Sequence, residues 1–133
     1  MKVDPDLGQI RVSRLVGAFA AGRVINPRLV QSQYYGGMIW GLSFALHERA
    51  EMDPRTGRFL NDNLAEYHVP VNADIGAIDV GFCNENDTRF NPVGARGIGE
   101  IGITGIPAAI ANAVYHATGK RVRDLPILLD DLI

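Results

Sequence analysis

A single cysteine, Cys83, is the only thiol in this chain of 133 residues. An internal disulfide is therefore excluded, and cysteine can build neither a zinc nor an iron–sulfur site here. Charge is scarce and balanced: 13 Lys and Arg face 15 Asp and Glu, with a net charge of −2 and no basic run. That removes the electrostatic footprint of a nucleic-acid binder and of a protein drawn to an anionic membrane surface. No apolar run approaches the roughly 20 residues that cross a bilayer. The opening Met1-Lys2-Val3-Asp4-Pro5 lacks the apolar segment of a secretory signal. The expectation is a chain without nucleic-acid or membrane partners, located in the cytoplasm or periplasm. His47, His68 and His116 have no partner at i+3 or i+4 and read as ordinary surface or half-buried histidines rather than metal ligands. Thr118-Gly119-Lys120 lacks the rest of a phosphate loop, and no serine sits in a G-x-S-x-G elbow.

What is present is a hydrophobic fraction of 47% and 15 glycines. The former suits one globular domain over residues 1–133. Asp4-Pro5-Asp6-Leu7-Gly8 is turn chemistry between Met1–Val3 and the period-two stretch Gln9–Val16, which predicts a β-hairpin with a long second strand. Asn26-Pro27 is a helix-start signal for a helix running to about Arg49. Asp53-Pro54-Arg55-Thr56-Gly57 predicts a second hairpin, Ile78-Asp79-Val80 a strand, and 105–117 a helix stopped by Gly119. The tail 124–133 predicts one more short helix, with Asp130 and Asp131 on the surface. The fold class is α+β, with hairpins and a small sheet packed with two main helices.

Two glycine-bearing segments carry the candidate chemistry. In the first helix Gly36, Gly37 and Gly41 each cost about 1 kcal/mol relative to alanine, so packing or a ligand must offset them. Gln33, Gly37 and Gly41 share the i, i+4, i+8 spacing of one face. In the second segment, five glycines fall within the twelve residues 94–105 and surround Glu100. Gly97-Ile98-Gly99-Glu100-Ile101-Gly102 spells G-x-G-x-x-G, but Pro92 and Arg96 stand where a buried strand should precede it, and a carboxylate in the loop would repel a pyrophosphate. Glu100 has two readings. Burial among Ile98, Ile101 and Ile103 would raise its pKa toward that of a general base; capping a helix or pairing with Arg96 would lower it. Both stay open on the residues alone.

Gly94-Ala95-Arg96-Gly97-Ile98-Gly99-Glu100 occurs together with Gly22–Pro27, Gln33–Gly37, Leu64–Tyr67 and Val122–Pro126. This ordered set resembles the C-terminal part of the molybdenum-binding subunit of the xanthine dehydrogenase and aldehyde oxidoreductase family, with bacterial periplasmic-type aldehyde oxidoreductases nearest. The resemblance implies a C-terminal segment of a longer subunit. It also implies a molybdopterin cytosine dinucleotide holding molybdenum without protein ligands, and iron–sulfur and FAD partner modules. Glu100 would be the catalytic base acting at a metal-bound hydroxyl, Gln33 would contact the cofactor, and Gly97, Ile98 and Gly99 would bring backbone close to it. The implied reaction is oxidation of a small aldehyde, or a heterocycle, with water as oxygen source. A stand-alone structural or ligand-binding domain is the competing expectation.

Overall fold

The computed structural model describes residues 1–83, 85 and 87–132. Strands β1 (Lys2–Asp4) and β2 (Gln9–Arg11) form the first hairpin, and β3 spans Arg14–Phe19. Helix α1 covers Pro27–Leu46, the second hairpin joins β4 (Met52–Asp53) to β5 (Arg58–Phe59), and β6 spans Ala77–Phe82. Helices α2 (Ile101–Thr104) and α3 (Ile106–Thr118) follow, with short 3-10 turns at Asn72–Asp74 and Leu129–Asp131.

The stretch Gln9–Val16 is not one strand. The chain leaves the hairpin after Arg11, and β3 pairs in parallel with β6, from Arg14 opposite Ala77 to Phe19 opposite Phe82. Val12 turns into the core at the break, and the Ala77 amide donates to Ser13 O at 3.1 Å, which fixes the new register. Local alternation is the same for both partners, so the pattern in the sequence did not reveal the switch. The tail forms a 3-10 turn where a short helix was expected.

Helix α1 begins as expected, with Pro27 in its first turn and Asn26 Oδ1 accepting from the Leu29 amide at 3.2 Å. It ends at Leu46, three residues earlier than the sequence suggested. Its inward face, including Met38, Leu42 and Ala45, forms a core with Val12, Leu15, Ile106, Ile110 and Val114. A smaller cluster of Ala21, Val30 and Tyr34 takes Phe19, Val80 and Ile98 against it.

Glycine sets the distance between helices. A Cβ on Gly37 would lie 2.8 Å from Gly102 Cα, and one on Gly41 would lie 2.6 Å from Ile106 Cβ. The two contacts advance along both segments in the same direction, from Gly37 on Gly102 to Gly41 on Ile106. The helix propensity given up at these two positions is offset by a backbone approach that any side chain would prevent.

Gly36 is different, because a Cβ there meets nothing within 4 Å. Gly36→Ala is expected to stabilise the chain by about 0.5–1 kcal/mol through helix propensity. Gly37→Ala gains the same propensity but overpacks the contact, so the two variants should differ by about 1–3 kcal/mol in urea unfolding. Equal stabilities would refute the close approach at Gly37.

Candidate functional site

The Gly94–Gly102 segment is fastened at both ends. At its start, Gly22 and Gly94 both take positive φ, +63° and +72°, a conformation natural to glycine. That geometry lets the Arg23 amide donate to Gly94 O at 2.7 Å and the Arg96 amide to Ala21 O at 3.1 Å. Asn91 closes the turn: its Oδ1 accepts from the Gly94 amide and its Nδ2 donates to Ala95 O, each at 2.7 Å. The Arg96 guanidinium is held by Glu85 at 2.8 Å and Asp87 at 3.1 Å. At the far end, Gly102 is seated on Gly37.

Between these anchors lie Gly97, Ile98, Gly99 and Glu100. Ile98 is half-buried against the Tyr34 cluster. Gly97 and Gly99 have no positive φ, and a Cβ on either would meet nothing within 4 Å. The fold of this chain gives no reason for glycine at these two positions. They are bare backbone facing open space.

Glu100 occupies the position before α2, yet its side chain makes no capping hydrogen bond. Arg96 is committed to Glu85 and Asp87. Nor do its isoleucine neighbours bury it, for Glu100 is exposed. The carboxylate of this chain is thus presented outward. Gln33 is exposed as well, one turn before Gly37. The shared face expected of Gln33, Gly37 and Gly41 is therefore split: both glycines are buried against α2 and α3, and Gln33 stands at the margin of that contact. Gln33 lies four residues before Gly37 and Glu100 two residues before Gly102, so each precedes the glycine contact on its own segment.

The Tyr34 ring stacks on Phe19 at 4.0 Å and tilts against Phe82 at 6.1 Å. Its hydroxyl is buried and has no hydrogen-bond partner among the described residues. Burial pushes the phenol pKa up, so the group stays a neutral donor. Sequence reasoning missed Tyr34; a tyrosine at helical spacing between Val30 and Met38 reads as core, which it also is.

A second cluster lies toward the C-terminal end of α1. His47 and His68, which the sequence separates by 21 positions, line one cleft of about 520 Å³ with Arg49, Glu51 and Glu66. Among the described residues no three His, Cys, Asp or Glu are placed to hold a metal. Burial lowers the His47 pKa, Asp74 at 3.9 Å opposes that shift, and His68 adds to it.

The molybdopterin cofactor-binding domain family matches residues 1–76, and the chain belongs to that family. Its relatives are longer. The aldehyde oxidoreductase molybdenum-binding subunit PaoC of Escherichia coli K12 is 48% identical over 126 residues, covering 95% of this chain and 17% of PaoC. The putative xanthine dehydrogenase molybdenum-binding subunit XdhA of the same strain is 32% identical, covering 96% of this chain and 17% of XdhA. The crystal structure of the aldehyde oxidoreductase from Desulfovibrio desulfuricans ATCC 27774 superposes with a TM-score of 0.86 at 30% identity, over 98% of this chain and 14% of that one. The small sheets and two main helices are thus an α+β portion of a molybdopterin-binding domain, and the chain spans 17% of the length of either E. coli subunit.

The His47 cleft supplies a pH test. The unfolded chain, with an ordinary imidazole pKa of about 6.5, binds more protons than the folded chain as pH falls toward the lower folded value. The stabilisation from neutral His47 is therefore complete above about pH 6.5 and lost as pH falls through the folded pKa. Melting temperature is expected to fall over that window, and to fall less in His47→Gln. An NMR titration placing His47 at or above the ordinary value would overturn the assignment.

Proposed function

We propose that this chain is the C-terminal portion of a molybdenum hydroxylase that oxidises aldehydes to carboxylic acids with water as oxygen source, and that Glu100 is its catalytic base. One observation carries the reading. A loop anchored at both ends by hydrogen bonds and a close backbone contact leaves bare glycines at 97 and 99, and an uncapped, exposed carboxylate at 100. The fold makes no use of these features, which suit a bulky group lying against the backbone.

The residues present fit a molybdopterin cytosine dinucleotide. Gln33 would offer it an amide, Gly97 and Gly99 a surface without side chains, and Ile98 an apolar contact braced by the Tyr34 cluster. No side chain of this chain would ligate the metal. When bound, the cofactor supplies the metal centre that delivers oxygen and accepts two electrons. This chain's part is to hold that group and to take a proton on a Glu100 carboxylate oxygen. The electrons would leave through iron–sulfur and FAD partner subunits, and the remainder of the molybdenum-binding subunit would complete the pocket. An aldehyde is favoured over a heterocycle by the greater identity to PaoC, 48% against 32% for XdhA.

In the assembled enzyme, Glu100→Gln is expected to reduce turnover by about 10²- to 10⁴-fold with molybdenum content unchanged by metal analysis. Undiminished turnover would remove Glu100 from the role. Expressed by itself, the 133-residue chain is expected to carry no molybdenum.

A further inference from the structure

Helix α1 has a second apolar face that none of the described residues covers. Over its 20 residues the only charged side chain is Arg28, in the first turn. The inward face holds Tyr34, Met38 and Leu42. Leu29, Gln33, Gly36, Trp40 and Phe44, at spacings of four, three, four and four, form one outward stripe. Leu29 is 64%, Trp40 53% and Phe44 48% exposed. A helix covered on one side carries charge on the other, whereas one apolar on both sides is covered on both.

We infer that this stripe is the seat of the remainder of the molybdenum-binding subunit, an inference that rests on the function proposed above. Three observations select that occupant. The E. coli relatives carry most of their length outside the matched segment, since the chain spans 17% of them. The stripe is apolar and uncharged, so it suits a packed polypeptide and gives no purchase to nucleic acid. Gly36 forms a notch in its middle: apart from its neighbours and the helix's own backbone, no atom of the described residues lies within 4 Å of a Cβ placed there, so its glycine serves a neighbour from outside. Gln33 belongs to the same stripe, so the seat runs directly into the proposed cofactor end.

The test replaces the matching segment of E. coli PaoC by this chain and compares the full-length chimaera with the free chain by hydroxyl-radical footprinting. Trp40, the sole tryptophan of this chain, and Phe44 are expected to be oxidised several-fold more slowly in the chimaera. Gly36→Leu and Phe44→Glu are expected to lower its molybdenum content several-fold while leaving the helix content of the free chain unchanged by circular dichroism. Equal oxidation rates in the two settings, or full molybdenum content in Gly36→Leu, would overturn the assignment. Protection of Trp40 that grows with concentration of the free chain would assign the face to a second copy and also overturn it. Undiminished turnover of the Glu100→Gln chimaera would remove the catalytic base and leave the docking face standing.

Discussion

The contact of Gly37 with Gly102 governs where the candidate chemistry can lie. Two helices of ordinary side chains stand 8–10 Å apart; here a single Cβ on either glycine would approach the opposite backbone to 2.8 Å or 3.2 Å. Such an approach fixes the first turn of α2 against the middle of α1, and α2 starts one residue after Glu100. The position of the carboxylate thus follows from a backbone contact rather than from a side-chain rotamer. A site built on helices keeps its geometry better than one built on a free loop.

The second anchor acts from the other direction. Gly22 and Gly94, both with positive φ, bring the segment after β3 beside the turn closed by Asn91, and two hydrogen bonds of 2.7 and 3.1 Å tie them. Residues 97–100 hang between two fixed points and are short of contacts of their own. The division of labour among the glycines follows from this. Those at 22, 94, 37 and 102 are required by backbone conformation or close approach, whereas those at 36, 97 and 99 answer to nothing inside the chain. The distinction is physical, and it separates glycine used for folding from glycine left available to something else.

Much of this was legible in the residues. Asn26-Pro27 located the start of α1, the two Asp-Pro turns located both hairpins, and Gly119 stopped α3 with φ of +75°. Each signal is local, so a short window contains its cause. The parallel pairing of β3 with β6 was not legible, since it joins residues more than sixty positions apart. Neither was the meeting of His47 and His68. At the site, composition drew attention to Glu100 but left open whether it is buried, capping or paired. Isoleucine neighbours in sequence do not bury an acid when Ile98 turns inward to the Tyr34 cluster and Ile101 remains exposed. On α1, of the packing or ligand that the glycines left open, Gly37 and Gly41 meet packing against Gly102 and Ile106, while Gln33 lies just outside it.

Under the proposed function, the exposure of Glu100 and the bare face of α1 would have one explanation between them. An exposed carboxylate is solvated, and water competes for any proton a base must take from one particular donor; catalysis by such a group needs that water removed. Ile98 and Tyr34, the apolar residues beside the loop, already face the interior. On that reading the cover would come from outside, and the uncharged stripe through Gln33, Gly36 and Trp40 is a surface on which it could rest without burying an unpaired charge. The physics that makes α1 a poor surface helix is therefore also what makes it a suitable wall for a closed site.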